Sequence, residues 1–115
     1  MKRRKLTKQE RMQIYDKYRG HCAYCGNKIK YTEMQVDHIK PLFNGGLDQL
    51  ENMNPSCRLC NHYKRSASLE FFRNVLLGGI TERLHKIYIF RVAEKYGMIT
   101  INKWDKKFYF ERRKK

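Results

Sequence analysis

Two pairs of cysteines are the residues of this chain whose type and spacing most clearly indicate chemistry. They read Cys22-Ala-Tyr-Cys25 and Cys57-Arg-Leu-Cys60. Each C-x-x-C pair can supply two corners of a zinc tetrahedron, and two pairs complete a closed structural site. A redox-active pair and four ordinary buried thiols are the alternatives, but a redox motif needs one pair and no βαβ pattern surrounds either pair. The doubled spacing therefore predicts a structural Zn²⁺.

An acid and a histidine stand side by side in the apolar stretch VDHIKPL, residues 36–42. Asp37 and His38 are poor strand residues, and burying either without a partner is costly. Pro41 restricts the backbone just before it, so we expect both residues at the end of a strand. Their cost to the fold indicates that they have a function.

The chain carries a large excess of positive charge. Its 115 residues include 26 Lys and Arg against 11 Asp and Glu, a formal net charge of +15, which is more than solubility requires of a small domain. We therefore expect an acidic partner, and a nucleic acid in particular. The basic clusters at 2–5 and 112–115 are open to a second interpretation, as solvated tails that only aid solubility.

Length and hydropathy limit the class of protein. A chain of this length predicts a single domain over residues 1–115. The basic start has no apolar segment of a signal peptide after it, and no apolar run approaches the ~18 residues that span a bilayer. We expect an intracellular, cytoplasmic protein with no membrane partner.

The elements that must position these residues alternate between helix and strand. A capping box of Thr7 and Glu10 predicts a helix that ends at Gly20. The stretch VDHIKPL predicts a strand, and the NGG turn, a second short strand and a helix that opens near Pro55 follow it.

The C-terminal part, about residues 67–115, is predicted to be helical and to end in a hairpin. One helix should close at Gly78–Gly79, and another should run from Thr81 to Gly97. The stretches MITIN and KFYFER then alternate as two strands of a short β-hairpin. We expect Phe108 and Phe110 to pack on the preceding helix.

The order of these motifs resembles that of the HNH endonucleases. Two C-x-x-C pairs flank VDHIKPLFNGG, and LENMNPSCRLCNHYK follows. The resemblance implies an α+β fold: a ββα-metal (HNH, His-Me finger) core at about residues 20–66, stapled by the zinc site, between the N-terminal helix and the C-terminal helices and hairpin. Small stand-alone members of phage and bacteria are the most similar type.

The resemblance also implies roles for single residues. His38 is the expected general base, which takes a proton from the water that attacks the scissile phosphate. Asp37 is an expected ligand of a catalytic divalent ion, Mg²⁺ or Mn²⁺. Asn52 should hold the loop and orient His38, and capping of the following helix is a compatible alternative.

The third motif position departs from the common pattern, because many relatives have His where this chain has Asn61. We favour Asn61 as the second metal ligand over His62, whose side chain lies about 100° away around the helix. Lys64 and Arg65 are expected to contact DNA phosphates, with a solvated helix face as the alternative.

These features together predict a metal-dependent endonuclease that hydrolyses DNA, expected to be double-stranded. Nicking and double-strand cutting are both left open. A catalytically inactive, zinc-stapled nucleic-acid-binding module or interaction protein is the alternative. The complete set of Asp37, His38, Asn52 and Asn61 favours the enzyme, because a binding module does not need a base beside a metal ligand.

Overall fold

The computed structural model describes residues 4–113, which form two compact units. Unit 1 comprises the chain up to Leu69 together with the segment from Lys107 onward, and unit 2 comprises Glu70–Lys106. The single domain expected over residues 1–115 stays a prediction. Residues 1–3 and 114–115, which carry part of the predicted basic tails, lie outside the described residues.

Unit 1 begins with helix α1, Lys8–Asp16, and the predicted capping box is present. The Thr7 hydroxyl accepts a hydrogen bond from the Glu10 amide at 3.1 Å, and the Glu10 carboxylate accepts one from the Thr7 amide at 3.0 Å. The two bonds satisfy backbone donors that a helix start otherwise leaves unpaired. Ile14 anchors α1 in the core, with 2% of its surface exposed.

A two-stranded antiparallel sheet and a helix form the centre of unit 1. Strand β1, Gln35–His38, pairs with β2, Met53–Ser56, and helix α2, Arg58–Lys64, follows directly. This is the predicted ββα order. Asp37 and His38 are the last two residues of β1 and both are buried, so their predicted position at a strand end is correct.

Helix α2 begins later than the sequence predicted, because Pro55 belongs to β2 rather than to the helix start. Proline has no N–H to donate. Each strand of a two-stranded sheet has one outer edge that needs no donor, so Pro55 is tolerated in β2. Cys57 caps the helix instead, since its Sγ accepts the Cys60 amide at 3.4 Å. Cys57, the first cysteine of the second pair, therefore directly follows β2 and caps α2.

Unit 2 is helical, as predicted, but its helices are divided differently. Helix α3, Leu69–Phe71, continues as a π-helix over Phe72–Leu77. Helices α4, Ile80–His85, and α5, Tyr88–Lys95, replace the single helix expected from Thr81 to Gly97. The break falls at Ile87, which is extended with ψ of 119°. No helix between residues 4 and 113 has the length and apolar character that spanning a bilayer requires.

The predicted C-terminal hairpin is wrong. Within the described residues no strand follows α5, and Tyr109–Arg112 form helix α6. An isolated two-stranded hairpin is marginally stable in water, so the alternation of MITIN and KFYFER was insufficient by itself. The two stretches also differ in burial, since Met98 of MITIN is 75% exposed whereas Phe108 of KFYFER is 1% exposed.

Helix α6 returns to the first cysteine pair of unit 1. The amides of Tyr109 and Phe110 donate to the carbonyls of Tyr24 and Ala23, at 3.1 and 2.8 Å. Phe108 and Phe110 both pack edge-on against the Tyr24 ring, where the sequence had suggested packing on the preceding helix. The turn between the first two cysteines is thereby buried beneath the end of the described chain.

Candidate active site

The four cysteines form one compact cluster, as their spacing predicted. The sulfur atoms of Cys22, Cys25, Cys57 and Cys60 all lie within 4.8 Å of one another, and none forms a disulfide. The sulfurs of Cys25 and Cys57 are 3.9 Å apart. A tetrahedral zinc ion with Zn–S bonds of about 2.3 Å places its sulfurs about 3.8 Å apart. The cluster therefore has the dimensions of a four-thiolate zinc site.

The protonation of this cluster also fits a cation. Hydrogen bonds from the Cys25 and Cys60 thiols lower the pKa of Cys22, and the same interaction with Cys22 raises the pKa of Cys60. The hydrogen bond with Cys22 also raises the pKa of Cys25 to about 11. The interaction with Cys22 thus disfavours ionisation of Cys25 and Cys60. A bound Zn²⁺ would allow all four to ionise.

Asp37 lies in a buried polar cluster with Lys64 and Tyr24. The Lys64 ammonium donates to the Asp37 carboxylate at 3.2 Å and to the backbone carbonyl of His38 at 3.2 Å. The Tyr24 hydroxyl donates to the other Asp37 oxygen. Burial raises the pKa of Asp37, and the Lys64 charge and the Tyr24 hydroxyl oppose that rise. Burial, and then the Asp37 charge, raise the pKa of Tyr24.

The exposed position expected for Lys64 is wrong. Its side chain is 1% exposed, and its ammonium is directed into the protein. The reason is helical geometry: Cys60 must face the zinc cluster, and residues four apart share one side of a helix. Lys64 therefore joins α2 to β1 and is not available to a DNA phosphate.

In the described part of the chain, one ring nitrogen of His38 is hydrogen-bonded and the other is not. Its Nε2 lies 2.9 Å from Oδ1 of Asp48. Within residues 4–113, its Nδ1 is buried and has no hydrogen-bond partner. Because a buried polar atom is normally bonded, the unbonded Nδ1 indicates a place for a ligand or a water.

Asn52 closes the loop that connects β1 to β2. Its amide nitrogen donates to the carbonyls of Lys40 and Leu47, both at 2.9 Å, and its Oδ1 accepts the Lys40 amide at 3.0 Å. Gly46 lies inside this loop, where only glycine has room. A Cβ at this position would lie 1.9 Å from the Lys40 carbonyl oxygen. These bonds are the loop-holding contacts expected of Asn52, whereas its part in catalysis stays a prediction.

Helix α2 directs Asn61 and His62 to different sides. Asn61 precedes Lys64 by three residues, a rotation of about 60°, whereas His62 lies about 160° from Lys64. Lys64 contacts Asp37, so Asn61 shares the side of α2 that faces the carboxylate. His62 is exposed. Asn61 as the second metal ligand stays a prediction that this direction favours.

An open cleft of about 250 Å³ lies beside the two strand-end residues. Asp37, His38, Arg65 and Ser66 contribute to its lining, with Pro41, Leu42 and Phe43 on the apolar side. Arg65 follows α2 with φ of 53°, a backbone angle that is uncommon for residues other than glycine. A polyanion that enters the cleft would meet Arg65, whose contact with DNA stays a prediction.

Sequence reasoning missed two residues of this site, Tyr24 and Asp48. Tyr24 stands between Cys22 and Cys25, and Asp48 lies in the loop that follows Gly46. Both act across long stretches of chain, so local spacing gave no direct signal. The available signal was chemical: a buried Asp-His pair requires a donor for the acid and an acceptor for the imidazole.

Comparisons with known proteins agree with this geometry. A sequence model described as HNH endonuclease matches residues 22–66. A CRISPR-associated endonuclease Cas9 of Corynebacterium diphtheriae is 29% identical over 73 residues, which are 62% of this chain and 7% of that protein. The crystal structure of the Type II-C Cas9 enzyme from Actinomyces naeslundii superposes with a TM-score of 0.54 and 25% identity.

Residues 22–66 therefore match the HNH endonuclease family, and the similarity to the two Cas9 proteins supports that match. The superposition covers 64% of this chain and 9% of the Actinomyces protein. The chain therefore spans less than a tenth of the length of either Cas9 protein.

Proposed function

We propose that the protein is a metal-dependent nuclease that hydrolyses phosphodiester bonds in DNA, with His38 as the general base. The observation that carries this proposal is the buried, unbonded Nδ1 of His38, a residue that lines an open cleft together with Asp37. The strongly basic chain, with its formal net charge of +15, supports a nucleic acid as the substrate. The match of residues 22–66 to the HNH family supports the reaction class.

General-base catalysis by His38 requires that one of its ring nitrogens can accept a proton. Neutral imidazole has an unperturbed pKa near 6.5 and accepts a proton at its unprotonated nitrogen. Water would lose that proton to Nδ1 as its oxygen attacks phosphorus, the bond from phosphorus to the leaving oxygen would break, and the leaving oxygen would take a proton from solvent water. Arg65, which lines the same cleft, would contact a phosphate of the strand.

Asp37 and Asn61 are the residues that would hold a catalytic divalent ion. Carboxylate and amide oxygens are hard ligands, which suit Mg²⁺ or Mn²⁺. Such an ion, when bound, neutralises charge that develops on the phosphate. Asp37 is at the same time bonded to the Lys64 ammonium and the Tyr24 hydroxyl, so an ion would share the carboxylate with both. The cysteine cluster would hold a separate, structural Zn²⁺.

Cleavage of a supercoiled plasmid tests the proposal. The zinc-loaded protein should cut DNA with added Mg²⁺ or Mn²⁺ and should not cut without added ions. His38→Ala should lose about a hundredfold or more of the rate, the usual contribution of a general base, and should bind DNA as the wild type does. His62→Ala is the matched control, because it removes an exposed imidazole from α2.

Two results would contradict the proposal. Cleavage by His38→Ala at the wild-type rate would exclude His38 as the base. Tight DNA binding by the wild-type protein with no cleavage under any ion would instead identify a zinc-stapled binding module. The ratio of nicked to linear plasmid in the same assay distinguishes nicking from double-strand cutting.

A further inference from the structure

A second carboxylate, Asp48, bonds the proposed base from outside the strand. Its Oδ1 lies 2.9 Å from Nε2 of His38, and its other oxygen accepts the Arg4 backbone N–H. The His38 side chain is 5% exposed and the Asp48 side chain is 25% exposed. The pair thus lies at the edge of the core, with the imidazole inside.

The hydrogen-bond pattern selects one tautomer of the imidazole. An ionised carboxylate can only accept hydrogen bonds, so the shared proton must belong to Nε2. A neutral imidazole carries one ring proton, which leaves Nδ1 unprotonated. Nδ1 is the buried nitrogen for which no partner exists within the described residues.

The loop geometry places Asp48 for this contact. Asn52 donates to the carbonyl of Leu47, the residue directly before Asp48, and also bonds Lys40 at the start of the loop. The carboxylate is therefore fixed on one side by Asn52 through its neighbour and on the other by the Arg4 amide. Asn52 and His38 are linked through this loop.

We infer that Asp48 is a positioning residue, which holds His38 through Nε2 and keeps Nδ1 unprotonated and directed toward the reacting water. The inference rests on the proposed function for its catalytic meaning, since it assigns the nitrogen that acts as the base. An acid that orients an imidazole through the opposite nitrogen is a general arrangement in acid–base catalysis. Asp48 itself would not touch the substrate.

Nitrogen NMR of the histidines tests the tautomer without any DNA. The full chain, zinc-loaded and with ¹⁵N-labelled histidine, is measured near pH 8, above the usual imidazole pKa. The chain has four histidines, and the His38→Gln variant identifies the His38 signals. We expect a protonated Nε2 and an unprotonated Nδ1 in the wild type. Asp48→Ala should lose this fixed tautomer and populate both forms.

Two further variants make the test specific. Asp48→Asn should no longer fix the tautomer, because its amide nitrogen can donate to an unprotonated Nε2 and so stabilise the form protonated at Nδ1. Glu51→Ala removes an exposed carboxylate from the same region and should leave the His38 signals unchanged. In plasmid cleavage, Asp48→Ala should lower kcat by about tenfold to a hundredfold, less than His38→Ala does, with KM nearly unchanged.

The outcomes separate this inference from the proposed function. A wild-type His38 protonated at Nδ1 would overturn the inference, and so would an Asp48→Ala spectrum with the wild-type tautomer. The expected spectra in a protein that never cuts DNA would support the orientation by Asp48 while contradicting the nuclease activity. Should Asp48→Ala fail to fold, the wild-type and Asp48→Asn spectra still decide the tautomer.

Discussion

The direction of each side chain around helix α2 determines whether it can reach Asp37. Lys64 makes the observed contact, and Asn61 lies one turn before it on the same side of the helix. The neighbouring His62 is the commoner ligand of transition metals by residue type, but it is exposed on another side. Direction around the helix therefore favours Asn61 over His62 as the predicted ligand.

This direction predicts different effects of two alanine substitutions on metal binding. Asn61→Ala should raise the Mn²⁺ concentration needed for half-saturation, because it removes an oxygen ligand beside Asp37. His62→Ala should change that concentration little. Titration followed by Mn²⁺ electron paramagnetic resonance measures binding directly and requires no activity.

Zinc content controls for damage to the fold in both variants. It should stay constant, since neither residue belongs to the cysteine cluster. If His62→Ala were the variant that demands more Mn²⁺, Asn61 would not be the ligand. Asn61→His should still bind metal and should shift preference toward Co²⁺ or Ni²⁺, which imidazole suits better than an amide does.

At the scale of elements, one buried ion pair joins α2 to β1. Lys64 donates to Asp37 and to the His38 carbonyl, so both the carboxylate and the strand end depend on one ammonium. Removing one partner of a buried ion pair leaves an uncompensated charge in the protein, which commonly costs about 3–5 kcal/mol. The pair is therefore important for the shape of the site even without DNA contact.

Lys64→Met should lower the free energy of unfolding by about that amount at neutral pH. Urea denaturation measures it, and Lys30→Met, which removes an exposed lysine, is the control. Added Mg²⁺ should restore more stability to Lys64→Met than to the wild type, because the ion would compensate the Asp37 charge. Equal stability of Lys64→Met and Lys30→Met would contradict the importance of the pair.

The elements that the sequence predicted correctly are those with local signals. Thr7 and Glu10 mark the start of α1, and the D-H pair before Pro41 marks the end of β1. The C-terminal hairpin failed because strand pairing depends on a partner that alternation alone does not specify. Phe108 and Phe110 found their partner in Tyr24, which lies far away in the sequence.

The site shows the same division between local and distant signals. The cysteine cluster followed from the C-x-x-C spacing. The burial of Lys64 could have been deduced from its distance of four residues from Cys60. The contacts of Tyr24 with Asp37 and of Asp48 with His38 join residues that no local pattern connects, so only the folded chain reveals them.

Within unit 1, the cysteine cluster joins the start of α2, directly after β2, to the turn beneath α6. A chain of this size buries a modest core, and a structural metal supplies folding energy that such a core lacks. Tyr24 extends this connection to Asp37, because it lies between two of the cysteines. The cysteine cluster and the candidate active site should therefore depend on one another.

Elemental analysis should find about one zinc per chain, and Cys57→Ser should lose it together with cooperative unfolding. Serine is a good helix N-cap, so this variant keeps the capping function of Cys57 and removes only the thiolate. Chelation of the wild type should have the same effect, and added Zn²⁺, but not Mg²⁺, should reverse it. A folded protein without zinc would refute the assignment.

The return of α6 to the first cysteine pair also has a consequence for biosynthesis. All four cysteines leave the ribosome before Tyr109 and Phe110 do, and nascent chains fold from their N-terminal parts. The thiols are therefore complete while the aromatic cover over Ala23 and Tyr24 is still missing. We expect zinc to bind the nascent chain before α6 packs on this turn, and the folded protein to release zinc more slowly than a nascent chain that still lacks α6.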